Sequence, residues 1–251
     1  MRAMILAAGR GERLRPLTEQ VPKPLIPLAG RPLIHYTLGM LRKCGVEDVV
    51  INLHHLGERI QAYVGDGSRW GLRVFYSLES RLLGTGGGIQ KSAPYLAGDA
   101  FLVLNADILA DLDLADVLRF HRNNHAPVTL VLRQDPDVER YGVIEVDGYG
   151  RVRQILGRVH AARVRRKRMM FTGIHVLEPA VFSHMPTQEE AFSIVDVYVA
   201  MLQAGERILG YEMKGFWADL GTPERYEVVR QLLERGDPAL HRILAEYGGA
   251  G

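Results

Sequence analysis

The sequence predicts an α/β fold: a doubly wound, mostly parallel central sheet with helices on both faces and a smaller antiparallel part. Two observations predict it. Short apolar runs alternate with runs of helical periodicity through the first half, the pattern of β-α-β units in a sheet covered on both sides. Beyond residue 128 the apolar runs lie close together, which marks a more antiparallel region.

Ala3 to Leu6 reads as the first strand. Leu33, Ile34, Leu38 and Leu41 recur at helical spacing after Pro32, and Gly45 ends that helix. Asp48 to Asn52 is the next strand, Leu56 to Val64 a helix, Leu72 to Tyr76 a strand, and Phe101 to Leu104 a buried strand, followed by a helix over Leu114 to Asn123. Four closely spaced strands follow at Val128 to Arg133, Gly142 to Val146, Val152 to Ile155 and Phe171 to Leu177. Asp147-Gly148-Tyr149-Gly150 carries the Asp-Gly signal of a hairpin turn.

Bulk properties exclude several classes. With 31 basic against 29 acidic residues the net charge is +2, so any attraction for anions is local and no nucleic-acid partner is expected. The one cysteine, Cys44, has no intrachain partner and suits a reducing compartment. The apolar run at Met1 is too short for a signal peptide, and no stretch approaches a membrane span. A soluble, cytoplasmic protein with no membrane partner is expected.

Polar clusters directly after strands are the candidate sites, because ligands of doubly wound sheets sit beyond the carboxyl ends of strands. The first is Ala7-Ala8-Gly9-Arg10-Gly11-Glu12-Arg13-Leu14-Arg15-Pro16, followed by Pro22-Lys23-Pro24. Gly9 and Gly11 let main-chain N–H groups turn toward anionic oxygens, and Arg13, Arg15 and Lys23 bring countercharge. Spacing excludes two other phosphate motifs. A dinucleotide fingerprint needs glycine where Leu14 stands, and a P-loop needs Gly-Lys before Ser or Thr, a tripeptide the chain lacks.

The run Leu6 to Thr18, with Pro22-Lys23-Pro24-Leu25, resembles the signature loop of the sugar-1-phosphate nucleotidyltransferases, which make nucleotide sugars. Three more segments extend the resemblance: Leu83-Gly84-Thr85-Gly86-Gly87-Gly88 after Glu79, Leu104-Asn105-Ala106-Asp107, and Trp217-Ala218-Asp219-Leu220-Gly221-Thr222-Pro223. The resemblance implies a Rossmann-like domain over 1–235, with a nucleotide half at about 1–125 and a sugar half at about 126–235. Residues 236–251 are a short C-terminal tail, helical and then frayed.

It implies nucleotide contacts at Ala7, Ala8, Gly9, Gly11, Glu12, Arg13, Glu79, Gly84 and Thr85. Arg13 would hold the β- and γ-phosphates and Lys23 face the α-phosphate, as the two catalytic residues. Asp107 and Asp219 would hold Mg²⁺, which prefers one or two carboxylates plus phosphate oxygens and water. The glycines after Leu83 would let a flat base lie against backbone, or Thr85 would simply cap the next helix. Thr222 and Pro223 are explained as a helix start without any function.

On the sugar side the resemblance implies Asn105, Gly142, Glu145 and Gly173, although Gly142 and Gly173 also read as bulge glycines. Many relatives carry Glu-Lys-Pro where this chain has Leu156-Gly157-Arg158; Arg158 can replace the lysine, and the glutamate has no counterpart. The basic run Arg163 to Arg168 reads as a solvated loop or as a basic flap over phosphate.

The implied reaction is transfer of a nucleoside monophosphate from GTP or UTP to a sugar 1-phosphate. Glu79 can accept from guanine N1–H and N2–H₂, or from uracil N3–H. Guanine is placed first, which gives a mannose-1-phosphate guanylyltransferase. A uridylyltransferase for N-acetylmuramate 1-phosphate or another hexose or hexosamine 1-phosphate comes second. A non-catalytic nucleotide-sugar-sensing subunit is the reading from another class. A homo-oligomer is compatible with the sequence.

Overall fold

The computed structural model describes residues 1–158, 166–188 and 190–249. The chain forms two compact units, Met1–Leu82 with Leu104–Leu114 and Gly215–Gly251, and Leu83–Val103 with Ala115–Lys214.

In the first unit, strands Arg2–Leu6, Asp48–Leu53 and Arg73–Leu78 lie parallel in that order, with Leu6 beside Asn52 and Asn52 beside Ser77. Helices Leu33–Lys43 and Gly57–Val64 make the crossovers. The periodic Leu33, Ile34, Leu38 and Leu41 are all buried, as their spacing predicts, and Gly45 follows the first helix at φ +78°. A short ribbon, Ile108–Ala110 antiparallel to Trp217–Asp219, was not predicted.

The C-terminal residues form the expected helix, Pro238–Gly248, started by Asp237, whose carboxylate accepts from the N–H groups of Ala239 and Leu240. Its Leu240, Ile243 and Tyr247 are buried, and it packs on helix Leu33–Lys43. Gly39 permits that packing: a Cβ there would run into the Tyr247 backbone.

In the second unit, Val128–Arg133, Lys167–Leu177, Val143–Val146 and Val152–Ile155 pair antiparallel, as the sequence predicts. Asp147 builds the predicted turn between the last two by accepting from the N–H groups of Tyr149 and Arg151 and from Arg153. Burial pushes its carboxyl up, but these donors win and hold it below the usual carboxylate range. The sequence reading missed helix Ile194–Gln203 and strand Ile208–Glu212, which runs parallel to Val128–Arg133, along with the short helical turns Ala93–Leu96, Val138–Tyr141 and Pro179–His184. Among the described residues no helix is long and apolar enough to cross a membrane.

The core of this unit holds a titratable group. His175 Nδ1 meets the Tyr198 hydroxyl, both side chains are buried, and burial lowers the imidazole pKa to about 3. The unfolded chain titrates near 6.5, so between there and pH 3 it binds a proton that the folded chain refuses. Stability should therefore fall as pH drops through that window, by up to about 1.4 kcal/mol per unit. Melting temperatures from about pH 7 to about pH 4 should fall more steeply in the wild type than in His175→Gln; equal slopes would remove His175 from the account.

Candidate active site

The glycine-arginine loop leaves the first strand through buried Ala7 and Ala8 and becomes exposed at Gly9 and Arg10. Gly11 takes φ +65°, and its carbonyl accepts from the Leu14 N–H and the Thr18 hydroxyl, both at 2.8 Å. A Cβ on Gly11 would lie 2.8 Å from the Thr18 methyl, so conformation and space both call for glycine. Gly9 differs from expectation: its φ is not positive, and a Cβ there would meet nothing within 4 Å. Its use is open space beside the backbone. Glu12 is exposed and lies 3.8 Å from Arg10.

The two predicted metal carboxylates share one charged cluster. Asn105 ends strand Phe101–Asn105, half-buried, and Ala106 N–H donates to Leu6 O at 3.1 Å, which brings Asp107 beside the end of the first strand. The unpredicted ribbon places Asp219 opposite Ile108, and Leu220 N–H donates to Asp107 O at 3.1 Å. Lys23 Nζ donates to Asp107 Oδ2, and Arg225 donates to Asp219 Oδ2. Asp219 Oδ1 is buried with no hydrogen-bond partner.

Burial pushes the Asp219 carboxyl up, and the neighbouring Asp107 charge adds to this; Lys23, Arg225 and Arg13 oppose it. Gly221 marks where these groups converge. A Cβ on it would lie 2.6 Å from Asp219 Oδ1, 3.1 Å from Arg13 Nη2 and 3.1 Å from Lys23 Nζ.

Among the described residues no three His, Cys, Asp or Glu side chains form a ready metal cage. Two adjacent carboxylates, one with a buried unpartnered oxygen, nonetheless fit a hard cation that completes its shell from phosphate and water. With three cations around two carboxylates, the cluster keeps a net attraction for polyphosphate. Thr222 caps helix Pro223–Glu234 as predicted, by accepting from Arg225 N–H.

Glu79 is buried just past strand Arg73–Leu78, and its Oε1 accepts from Asn52 Nδ2 at 2.7 Å. The glycine run that follows belongs to helix Gly84–Lys91 of the second unit and differs from expectation. Gly86, Gly87 and Gly88 are buried, and the space a Cβ would fill at Gly86 and Gly87 holds the Phe192 ring and the Glu190 carbonyl. Those glycines admit a neighbouring chain segment rather than a base, which leaves exposed Gly84 and half-buried Thr85 as the accessible positions. Thr85 does not cap its own helix; its hydroxyl accepts from Ile194 N–H at 2.9 Å.

The predicted sugar residues Gly142, Glu145, Arg158 and Gly173 lie in the second unit, and Asn105 in the first. Gly142, at φ +90°, precedes strand Val143–Val146 and faces Leu156. Gly173, at φ +80°, lies where the ladder to Val128–Arg133 shifts register, the bulge alternative of the sequence reading. Glu145 is paired with Arg166 at 2.7 Å, and Arg158 with Asp196 at 2.8 Å. Of the basic run, Arg163 to Arg165 fall outside the described residues. Arg166, Lys167 and Arg168 are each paired, with Glu145, Glu212 and Glu139. Sequence reasoning missed Thr18, Asn52 and Arg225, single polar residues whose partners are distant or local in ways no spacing announces.

The family model for nucleotidyl transferase matches residues 2–236. A mannose-1-phosphate guanylyltransferase of Mycobacterium tuberculosis is 36% identical over 89% of the chain and 62% of its own length. An N-acetylmuramate alpha-1-phosphate uridylyltransferase of Neisseria meningitidis is 35% identical over 92% of the chain and 98% of its own length. A Bacillus anthracis structure designated a glucose-1-phosphate thymidylyltransferase superposes with TM-score 0.79 at 25% identity, covering 92% of this chain and 94% of that one. The chain thus spans less than two thirds of the mycobacterial relative. With a family model that spans residues 2–236, the chain belongs to the nucleotidyl transferases.

Proposed function

We propose that this chain transfers a nucleoside monophosphate from a nucleoside triphosphate to a sugar 1-phosphate. A phosphate oxygen of the sugar 1-phosphate attacks the α-phosphorus in line, a new P–O bond forms, the α–β bridge breaks, and pyrophosphate leaves. The single observation that carries the reading is the convergence of Arg13, Lys23 and Asp219 around Gly221, with Asp107 held against Lys23.

No covalent enzyme intermediate is needed, so catalysis is positioning plus charge neutralisation. Arg13 offers a forked donor to the β- and γ-phosphates. Lys23 faces the α-phosphate once Asp107 turns to another cation. Asp107 and Asp219 would hold Mg²⁺, which neutralises phosphate charge and aligns the reacting groups when bound. Ala7, Ala8, Gly9, Gly11 and Glu12 line the phosphate and nucleoside, and Glu79, Gly84 and Thr85 take the base. Asn105, Gly142, Glu145, Arg158 and Gly173 take the sugar phosphate on the strength of the resemblance.

GTP with mannose 1-phosphate is the first reading, supported by the mycobacterial relative and by a carboxylate able to accept from the guanine edge. Uridylyl transfer to a hexosamine 1-phosphate is the second, supported by the relative from Neisseria meningitidis at nearly equal identity. A pyrophosphate-release screen crossing four nucleoside triphosphates with hexose, hexosamine and heptose 1-phosphates tests both. Release with no pair at all would leave a nucleotide-sugar-sensing subunit as the better account.

Gly221→Ala is expected to lower kcat/KM on the order of 10²-fold, because its methyl would displace Asp219, Arg13 or Lys23 from their meeting point. A variant with wild-type kcat/KM and an unchanged melting temperature would show that this convergence does not matter to the chemistry.

A further inference from the structure

Asn52 stands at the carboxyl end of the middle of three parallel strands and reaches across to the chain leaving each neighbour. On one side its Oδ1 accepts from the Ala7 N–H at 2.8 Å, just past strand Arg2–Leu6. On the other its Nδ2 donates to Glu79 Oε1 at 2.7 Å, just past strand Arg73–Leu78. Asn52 is 2% exposed and Glu79 5%, so water does not compete for either bond.

The polarity of this relay is fixed from the backbone outward. A main-chain N–H can only donate, so the atom of Asn52 that faces Ala7 must be its oxygen. The other end of the amide is then NH₂, which can only donate, so the facing oxygen of Glu79 must accept. A hydrogen bond donated to that oxygen is stronger when the carboxyl is ionised, and an ionised carboxylate has acceptor sites alone.

We infer that Asn52 is a specificity-determining positioning residue: it holds Glu79 as an obligate acceptor, so that the site takes nucleobases with a ring N–H on the Watson–Crick edge and refuses those with a ring acceptor there. Guanine, uracil and thymine qualify; adenine and cytosine do not. This rests on the reading that Glu79 meets the base, and it sets the class of nucleotide that reading leaves open. An acceptor facing a buried acceptor sets two lone pairs against each other and forfeits a hydrogen bond to the base, which costs about 10- to 10²-fold in binding or more.

The test is kcat/KM of the full chain for GTP, UTP, ATP and CTP with whichever sugar 1-phosphate turns over, alongside equilibrium binding of the four nucleotides. The wild type should prefer the better of GTP and UTP over ATP and CTP by about 10²-fold. In Glu79→Gln the Asn52 NH₂ keeps the new side-chain carbonyl, so the new NH₂ faces the base, and the preference should fall by about 10- to 10²-fold. In the double variant Asn52→Asp with Glu79→Gln, the introduced carboxylate accepts both from the Ala7 N–H and from the introduced amide. That turns the amide's carbonyl to the base, and at least about 10-fold of the preference should return.

A merely structural role would shift melting temperature and all four nucleotides together, and would leave the ratio alone. A ratio that is the same in wild type and Glu79→Gln would overturn the inference, and so would a double variant no better than the single. If the double variant does not fold, the single variant decides. Should the wild type turn over no pair, the proposed reaction fails, while the binding ratios of the four nucleotides still decide the role of Asn52.

Discussion

Lys23→Ala should lower kcat by on the order of 10²-fold or more while changing the KM for the nucleotide far less. The expectation comes from where the ammonium sits. Its side chain is only 14% exposed, it donates to Asp107, and it lies at the meeting point with Asp219 and Arg13. Negative charge grows on the phosphate oxygens as pyrophosphate departs, so a cation fixed in a partly dry site stabilises that state more than the ground state.

Loss of Lys23 also leaves Asp107 without its partner next to a second carboxylate, which is a structural penalty. The two effects separate with Mg²⁺. A purely structural defect would be repaired by a divalent cation on the two acids, with melting temperature and kcat recovering together. A catalytic one would recover stability and leave kcat low. A purified Lys23→Ala protein with wild-type turnover would end the assignment.

Strand and helix placement was legible in the first unit because its apolar runs are long and set apart by glycines and polar residues. The run Leu33, Ile34, Leu38 and Leu41 lies in a helix buried throughout from Leu33 to Leu41, and strands Arg2–Leu6 and Asp48–Leu53 are built on the apolar runs Ala3 to Leu6 and Val49 to Ile51. The ribbon Ile108–Ala110 with Trp217–Asp219 was illegible, since three-residue strands carry no period and these two lie far apart in the sequence. Asp107 and Asp219 were therefore nameable only through motif resemblance, and what joins them is the ribbon and the Leu220 N–H bond to Asp107 O.

The glycines at 86 and 87 show the reverse error. Their small size read as room for a ligand, whereas their packing partners, Phe192 and Glu190, lie far along the chain, beyond any local signal. Asn52 had no signal either. A lone amide at a strand end looks like the start of a turn, and only the Ala7 and Glu79 bonds reveal its orientation.

Asp107→Ala and Asp219→Asn should each abolish Mg²⁺-dependent turnover, a loss on the order of 10³-fold or more. They should differ in what they do to the metal-free protein. Asp219 is destabilised in place: burial pushes its carboxyl up, Asp107 pushes it further, and its Oδ1 is enclosed without a partner. An amide in place of Asp219 removes the charge and the repulsion, so Asp219→Asn should melt at or above the wild-type temperature without metal. Asp107 is satisfied by Lys23, and Asp107→Ala strands that ammonium, so it should melt lower.

Added Mg²⁺ should raise the melting temperature of the wild type, because a ligand that binds only the folded state stabilises by RT ln(1 + [L]/Kd), and should raise neither variant's. A strained acid kept at a site where it lowers stability fits a group retained for chemistry rather than for folding. Wild-type turnover in either variant, or a preserved Mg²⁺ shift in both, would detach the pair from the metal. A metal-free Asp219→Asn protein that melts well below the wild type would show that the carboxylate is held by its cations and is not strained.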